Sequence, residues 1–392
     1  MTPRERRTLL GVLGFLTFAS VYANVVIVPA LVLIAGEFGT TTGTAGLVAA
    51  AYGVPGIVVA LLIGPYSDRL GRKWFLIAGS LLMGGATLLS AFAQSFEVLI
   101  LTRALAGMGA SVIFPNVNAT IGDSFPYRER GRAISTVIAM NTMASIIGLP
   151  VAGIVAEATS WRVSVGGVGM IAIVAALVLF KLLANTRPEG QPSRARDLYS
   201  LIGANPSAVA ALGSSLLGAV FWFTWATFFI VFFQQTYALS LGAASTVGLT
   251  LGLGVLIGSQ VGGRLGDRIG HRRVIAVSIV IAGALLLVQT NVTMPLAAAA
   301  MLNLLLSAVI GARFATNGAL ITEQVPGARG TMAAISSSLV SLGMVIGPAV
   351  GGLLVDSFGF WAIGMFCAAV AAVSALVVFT FVIEDTAHLD PT

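Results

Sequence analysis

Two short charged stretches interrupt an otherwise apolar chain. GPYSDRLGRK covers residues 64–73 and GGRLGDRIGHRR covers residues 262–273, and their acids, Asp68 and Asp267, are 199 positions apart. A carboxylate with bases one turn later can form ion pairs. It can also lie at the N-terminal end of a neighbouring helix, where unpaired N–H groups favour an anion. The repeat therefore predicts electrostatic contacts that occur once in each half of the chain.

Other polar side chains lie inside long apolar runs, where a charge is costly and marks a functional candidate. Each arginine among them either contacts a substrate or merely bonds backbone carbonyls and holds a helix kink. The aromatic and amide side chains of these runs suit loose recognition of amphipathic or aromatic molecules through shape and stacking. The candidate substrate or coupling residues are Arg103, Arg313, Asn24, Tyr22, Asn116, Asn141, Trp222, Trp225, Gln234 and Asn317.

The elements that must position these residues are transmembrane helices. Hydrophobic residues make up 57% of the 392 residues, charged residues make up 9%, and the mean hydropathy is +0.98. A soluble protein has about a quarter of its residues charged, and a run of about 20 apolar residues spans a bilayer core. The predicted spans are 9–34, 45–65, 74–95, 98–121, 132–156, 162–183, 208–236, 244–263, 274–292, 296–320, 331–354 and 360–383.

The distribution of basic residues predicts the orientation of these spans. Eighteen of the 21 Lys and Arg residues fall on one side, which the positive-inside rule makes cytoplasmic. We expect a multi-pass protein of the inner membrane with both termini in the cytoplasm. The basic residues before the first span and VYA at 21–23 resemble a signal peptide, but the apolar run continues to Ile34, so we expect an uncleaved first helix.

The two halves of the chain resemble each other beyond the charged stretches. Glu157 and Asp356 are 199 residues apart, and Asp123 and Glu323 are 200 apart. The predicted domains are a six-helix bundle over 1–184, a polar cytoplasmic linker over 185–207, and a second six-helix bundle with a short tail over 208–392. Paired halves with a binding site between them are typical of secondary transporters.

The motifs identify a resemblance to the major facilitator superfamily over essentially the full length. GPYSDRLGRK resembles the signature between the second and third helices, and LTRALAGMGA at 101–110 resembles that of the fourth. IIGLPVAG at 146–153 resembles the fifth-helix signature of antiporters, and GMVIGPAVGG at 343–352 repeats its form. The resemblance implies an all-α fold of twelve helices in two pseudo-symmetric bundles, with alternating access, in the drug:proton antiporter branch.

The resemblance gives the charged stretches a function as a cytoplasmic latch. Gly64 permits close approach of the second helix to the eleventh, Asp68 then meets the N-terminal end of that helix near Gly330, and Arg72 reaches Asp123. The alternative is that the bases only fix topology. The cytoplasmic latch comprises Gly64, Asp68, Arg69, Arg72, Asp123, Asp267 and Glu323.

The second charged stretch differs at one position. His271 stands four residues after Asp267, where the first stretch has Arg72 after Asp68. His271 could pair with Glu323 and titrate near neutral pH. We favour the simpler interpretation, in which Arg272 or Arg273 makes the pairing and His271 is a solvated loop residue.

Glycines and prolines in the fifth and eleventh helices predict a helix-packing seam. Glycines four residues apart let helices approach closely, and a proline removes a backbone donor and can bend its helix. The seam is either a flexible surface between the two halves or static packing. It comprises Gly148, Pro150, Gly153, Gly343, Gly347, Pro348 and Gly351.

Three functions compete on these observations. The first is proton-coupled efflux of small amphipathic or drug-like compounds, and the second is facilitated transport or exchange of organic anions gripped by Arg103 and Arg313. The third, a sensor or lipid-interacting protein, predicts an added soluble domain, for which we find no segment. None of the 15 acids lies near the middle of a span, which disfavours cationic substrates and leaves Asp123, Asp68 or Arg103 for proton coupling.

The remaining expectations concern partners. There is no nucleophile elbow, phosphate loop or His/Cys cluster, so we predict no enzymatic activity, no cofactor and no metal. The single cysteine, Cys367, can form no internal disulfide. The bases lie between spans and are not interleaved with aromatic residues, so we expect no nucleic-acid binding. The expected partners are a small-molecule substrate, protons and the lipid bilayer, and we expect a monomer.

Overall fold

The computed structural model describes residues 3–59, 61–62, 71–182 and 195–384, and within these ranges the regular secondary structure is helical. Twelve candidate spans among the described residues are long and apolar enough to cross a membrane. This confirms the predicted all-α membrane fold class. The described residues divide into two compact units, one within Met1–Pro192 and Phe233–Leu249 and the other within Ser193–Phe232 and Thr250–Thr392.

The first unit contains the helices of the N-terminal half. Helix α5 packs against α6 and α8, and α1 packs against α7 and α8. A Cβ atom added at Gly109 would overlap the backbone of α5, so glycine sets the distance between α5 and α6. The helices are α1 (Pro3–Val25), α2 (Leu31–Phe38), α3 (Thr42–Ala45), α4 (Leu47–Gly53), α5 (Arg72–Ser90), α6 (Phe96–Ser124), α7 (Tyr127–Ala158) and α8 (Trp161–Leu182).

The first predicted span, 9–34, is wrong as a single helix. Helix α1 ends at Val25 and α2 begins at Leu31, with turns between them. Pro29 has no backbone N–H to continue the helical ladder. Three-residue turns replace that ladder, because Val28 N donates to Val25 O at 3.1 Å and Ala30 N donates to Ile27 O at 3.0 Å.

The second unit contains most of the C-terminal half. Helix α12 packs against α15 and α13. Gly254, Gly258 and Gly262 form a face of α11 against α13, where a Cβ at Gly254 would lie 2.5 Å from the carbonyl oxygen of Leu304. The helices are α9 (Ala195–Gly203), α10 (Pro206–Tyr237), α11 (Leu241–Ile269), α12 (His271–Asn291), α13 (Leu296–Glu323), a 3₁₀ turn (Pro326–Ala328), α14 (Arg329–Phe358) and α15 (Phe360–Phe381).

Two boundaries of the units differ from the sequence halves. Residues 233–249, which are the end of α10 and the start of α11, belong to the first unit. Helix α9 lies inside the segment 185–207 that we predicted to be a linker. The bundle limits at 184 and 208 therefore stay a prediction from the sequence.

The duplication is visible in the backbone at the charged stretches. Gly71 precedes α5 with φ 93° and Gly270 precedes α12 with φ 95°, and these glycines are 199 positions apart. A side chain at this φ is strained, so glycine is needed at both positions. Each glycine directs the chain into a helix whose first residue is a basic or imidazole side chain, Arg72 or His271.

Candidate functional site

The first helix after a charged stretch begins with an ion pair. Arg72 Nη1 at the start of α5 lies 2.9 Å from Asp123 Oδ2 near the end of α6, and the two side chains are 11% and 31% exposed. This is the contact that the sequence predicted. Gly64, Asp68 and Arg69 lie outside the described residues, so the approach of Asp68 to a helix end stays a prediction.

The second charged stretch is arranged differently, and our interpretation of His271 as a solvated loop residue was wrong. His271 is the first residue of α12 and is only 6% exposed. Its Nε2 lies 4.0 Å from Asp267 Oδ1 and 3.9 Å from Glu323 Oε1. The side chain of Arg272 donates instead to the carbonyl oxygens of Val378 and Phe379. The burial follows from the position of the ring against Gly266, where an added Cβ would overlap it.

A carboxylate that the sequence analysis missed joins this group. Glu384, which follows α15, accepts hydrogen bonds from the backbone N–H groups of His271 at 2.7 Å and Arg272 at 2.9 Å. It thereby caps the N-terminal end of α12, where an anion is favoured. The ligand-type atoms of His271, Glu323 and Glu384 lie within 4.8 Å of one another. The three residues are far apart in the chain, and the only signal in the sequence was a histidine where the first stretch has an arginine.

Arg103 is held by the end of α1. It is 0% exposed, and its guanidinium donates to the carbonyl oxygens of Ala23 at 2.8 Å and Asn24 at 3.3 Å. The guanidinium carbon also lies 4.6 Å from the centroid of the Tyr52 ring, a cation–π contact. These carbonyls lie where α1 ends, so the arrangement is the scaffold alternative considered for this residue. The predicted contact with a substrate stays a prediction.

Arg313 is held in the same way inside the second unit. It is 1% exposed, and its Nη2 donates to Ser214 O at 2.5 Å and Ser214 Oγ at 3.0 Å. Gly218 provides the space for the guanidinium, because a Cβ atom there would overlap it. Both intramembrane arginines therefore donate to oxygen atoms of their own unit.

The aromatic residues of α10 differ in their polar contacts. Trp225 is 0% exposed, and its Nε1 donates to Asn303 Oδ1 at 2.9 Å. The Asn303 amide donates in turn to Thr250 Oγ1 at 2.8 Å. Trp222 packs edge-to-face on Phe314 with ring centroids 5.6 Å apart. The network of Trp225 makes it a core residue of the second unit, and Trp222 remains the more open of the two predicted tryptophans.

Amide oxygens of three predicted residues have no hydrogen-bond donor. They are Asn116 Oδ1, Asn141 Oδ1 and Gln234 Oε1, all buried atoms of the first unit. A buried acceptor without a donor is costly, which makes such atoms candidates for contact with a ligand. By contrast, Asn317 exchanges hydrogen bonds with Ser215 at 2.9 Å and 3.2 Å.

The predicted seam divides into two kinds of contact. In the second unit, added Cβ atoms at the seam glycines of α14 would lie 2.5–3.0 Å from atoms of α10. In the first unit, Gly148 contacts the ring of Tyr22, and Gly153 of α7 contacts Ser245 of α11. The seam glycines of α14 therefore pack within the C-terminal half of the sequence, and Gly148 packs within the N-terminal half. Among the seam glycines, Gly153 alone contacts a residue of the other half, Ser245. Pro150 and Pro348 lie inside α7 and α14.

Two acids near helix ends, Glu157 in α7 and Glu37 in α2, have partners that we did not predict. Glu157 Oε2 accepts hydrogen bonds from Gly242 N at the start of α11 and from Ser240 Oγ, the latter at 3.2 Å. Glu37 pairs with Arg162 at 2.5 Å and accepts from Trp161 Nε1 at 2.5 Å. Desolvation raises the pKa of Glu37, but the hydrogen bonds and charge of Arg162 and Trp161 outweigh it, and the net pKa is lowered from 4.5.

Comparison with sequence families gives a match over most of the chain. Residues 13–259 and 210–391 match the profile described as the Major Facilitator Superfamily. The chain is 33% identical over 159 residues to the probable sulfoacetate transporter SauU of Cupriavidus necator, covering 41% of this chain and 37% of that protein. It is 27% identical over 156 residues to the quinolone resistance protein NorA of Staphylococcus aureus, covering 39% of this chain and 40% of that protein. These alignments span well under half of each relative.

Solved structures of low sequence identity share the fold. A bacterial homologue of the human lysosomal transporter Spinster, in an inward-facing and unoccupied conformation, superposes with a TM-score of 0.81 at 18% identity, covering 97% of this chain and 98% of that chain. A point mutant of the nucleoside transporter NupG superposes with a TM-score of 0.77 at 16% identity, covering 95% of this chain and 99% of that chain. At these identities the likeness concerns the fold alone.

Proposed function

Because the chain belongs to the major facilitator superfamily and is a multi-pass membrane transporter, we propose that it carries out proton-coupled efflux of small amphipathic or drug-like compounds. Transport proceeds by alternating access between two bundles. The protein lies in the inner membrane as a monomer with both termini in the cytoplasm. The orientation rests on the location of 18 of 21 basic residues on one side of the predicted spans.

One observation carries the choice of substrate class. Both intramembrane arginines are at most 1% exposed and donate to oxygen atoms of their own unit. The donating atoms are terminal guanidinium nitrogens, and an organic anion would have to displace those bonds to use them, since only the buried Nε atom of each arginine is without an acceptor. Because a buried charge without acceptors is strongly unfavourable, breaking these bonds to bind a substrate would destabilise the fold.

The amide oxygens support the same choice. Asn116, Asn141 and Gln234 offer buried oxygen atoms that lack a donor. An N–H or O–H group on a neutral amphipathic compound would satisfy them at little cost, whereas a carboxylate would add only acceptors. The partial similarity to the quinolone resistance protein NorA is in keeping with compounds of this kind.

A second candidate function is favoured by a different relative. The similarity to the probable sulfoacetate transporter SauU favours a facilitator or exchanger of organic anions. In that case Arg103 and Arg313 would exchange their carbonyl partners for the anion during the transport cycle. The two functions differ in substrate charge and in dependence on a pH gradient.

We propose further that the first charged stretch works as the cytoplasmic latch. The pair Arg72–Asp123 fixes the start of α5 against the end of α6, and Asp68 then meets a helix end of the other bundle. Gly64 and Arg69 belong to the same stretch, and Asp267 and Glu323 occupy the corresponding positions in the second half. Asp68 or Asp123 would carry the coupled proton, since a change of charge there alters the latch.

Transport into reconstituted vesicles tests the function. Vesicles with an acidic interior are supplied with neutral, cationic and anionic compounds. A proton-coupled exporter inserted in either orientation accumulates a neutral amphipathic compound inside, and dissipating the pH gradient abolishes the accumulation. Uptake of anions that does not respond to the gradient would instead establish the second candidate. Empty vesicles control for passive partition of apolar compounds.

A variant of the latch supplies a second test. Asp68→Asn is expected to abolish transport while membrane insertion and the yield of purified protein stay normal. The matched control is Glu97→Gln, which removes an exposed carboxylate at the start of α6. Normal transport by Asp68→Asn would contradict the latch and would leave the efflux proposal standing.

A further inference from the structure

His271 and Glu384 have no role in the transport cycle above, and they lie beside Asp267 and Glu323 of the cytoplasmic latch. His271 opens α12, Glu323 ends α13, and Glu384 follows α15, so three separate parts of the second unit meet here. One ligand-type atom of each residue lies within 4.8 Å of the others. Asp267 adds a further carboxylate oxygen 4.0 Å from His271 Nε2.

The imidazole is buried but not satisfied by the protein. His271 is 6% exposed, and its Nδ1 has no hydrogen-bond partner. Its Nε2 faces oxygen atoms of Glu323 and Asp267 at 3.9 Å and 4.0 Å, beyond the usual range for a hydrogen bond. Separations of about 4 Å are close to those between two ligand atoms on one metal ion.

The charges around the ring also favour a bound cation. Three carboxylates surround one imidazole, and among the described side chains no Lys or Arg lies within ion-pairing distance of those carboxylates. The guanidinium of Arg272 is turned away toward the carbonyl oxygens of Val378 and Phe379. Asp267 and Glu323 are 76% and 50% exposed, and a cation bound between them and the buried imidazole would offset their charge.

At the corresponding place in the first half, a permanently charged side chain neutralises the acid. There Arg72 pairs with Asp123 at 2.9 Å. His271 stands 199 positions after Arg72, and Glu323 stands 200 after Asp123. An arginine closes the contact with its own charge but cannot ligate a metal, whereas a neutral imidazole brings no charge and is a good ligand.

We propose that His271, Glu323 and Glu384 form a binding site for one divalent transition-metal ion, with Asp267 within reach as a fourth ligand. One imidazole nitrogen with carboxylate oxygens is a donor set that suits Zn²⁺ or Mn²⁺. Ligand bonds of about 2.1 Å place donor atoms about 3–4 Å apart across the ion, so the observed separations need little adjustment. The backbone N–H groups that hold Glu384 fix the orientation of that ligand.

The bound ion would tie together the ends of α12 and α13 and the segment after α15. An ion that binds only the folded chain also raises its thermal stability. The site thus adds a metal-dependent fastening to the second unit, separate from the substrate and from the first charged stretch.

The experiment uses the full-length protein in detergent after treatment with a chelator. Calorimetric titration with Zn²⁺ is expected to give one saturable site per chain, and Co²⁺ as a probe is expected to give visible absorption bands of a nitrogen- and oxygen-ligated ion. His271→Ala and Glu323→Gln are each expected to weaken Zn²⁺ binding at least about 100-fold. Glu323 is half exposed, so its variant keeps the fold if the buried histidine variant does not.

Matched controls make the assignment falsifiable. His388 is the only other histidine of the chain and lies outside the described residues, and Glu97 is an exposed carboxylate at a distant helix end. His388→Ala and Glu97→Gln are expected to bind Zn²⁺ like the parent protein and to show the same rise in melting temperature. The proposal is overturned if the chain has no saturable site, if Glu323→Gln binds normally, or if His388→Ala abolishes binding.

Discussion

Replacing Arg313 separates the two candidate functions, because the structure predicts that its loss damages stability and not substrate choice. Arg313→Ala removes two hydrogen bonds to Ser214 and leaves a cavity above Gly218. A charge-assisted bond contributes about 1.5–3 kcal/mol in soluble proteins, but bonds between membrane helices contribute about 0.6–1.7 kcal/mol. Truncation of a large buried side chain costs about 2–5 kcal/mol. These effects overlap, so we expect a loss of about 3–5 kcal/mol.

The chain carries its own reporter for this measurement. Cys367 is the single cysteine, is fully buried, and lies in the second unit with Arg313, its sulfur 3.9 Å from the carbonyl oxygen of Phe221. A thiol-reactive dye therefore reacts only when that unit opens. At about 2–4 °C per kcal/mol, the labelling transition of Arg313→Ala is expected roughly 10 °C below that of the parent. Arg313→Lys keeps a donor and a charge and is expected at an intermediate temperature.

Transport by the same variants supplies the refutation. The scaffold role predicts that Arg313→Lys lowers transport of neutral and anionic compounds by the same factor, in proportion to the folded protein recovered. Ser214→Ala, which removes only the hydroxyl partner, should follow the same trend with a smaller loss of stability. Selective loss of anion transport with an unchanged labelling temperature would show that our reasoning is wrong and that Arg313 contacts the substrate.

Three other contacts give further predictions. A double-mutant cycle on thermal unfolding with Arg72→Gln and Asp123→Asn is expected to give a coupling free energy of about 1–2 kcal/mol. A coupling near zero would show that this ion pair does not stabilise the fold. The lowered pKa of Glu37 means that its pair with Arg162 stabilises the fold above the ordinary value of 4.5 and loses this effect as pH falls through the lowered pKa. The melting temperatures of the parent and Glu37→Gln should therefore converge only in acid. Gly107→Ala, which places a methyl group into a backbone carbonyl of the neighbouring helix, should lower stability by about 1–3 kcal/mol, whereas Gly122→Ala, with open space around it, should not.

Hydropathy and repeats were enough to predict the all-α membrane fold class, and the pair Arg72–Asp123 followed from the resemblance to the major facilitator superfamily. The helices are encoded locally by long apolar runs, and Arg72 lies in the motif GPYSDRLGRK, which the sequence displays directly. The break after Val25 was missed because the residues around Pro29 are as apolar as a span, and hydropathy does not register a missing backbone donor.

The partners of the buried polar residues could not be read from the sequence. Arg103 bonds carbonyls of α1, and a carbonyl is present at every residue, so nothing in the sequence distinguishes its acceptors. Glu384 reaches His271 from 113 positions away, and only the packing of α12 against α15 brings them together. Contacts of this kind are tertiary, and composition and spacing carry no trace of them.

The membership of residues 233–249 in the first unit has a practical consequence for dissecting the protein. Glu157 accepts hydrogen bonds from Gly242 and Ser240. A fragment that stops within the segment 185–207 therefore lacks both donors, together with the rest of residues 233–249. If the two halves were expressed separately, the first would lack the residues of α11 that contact α7. The second would carry Ser240 and the start of α11 without the α7 residues that they contact. Activity regained on mixing the two halves would measure how strongly residues 233–249 bind the rest of the first unit.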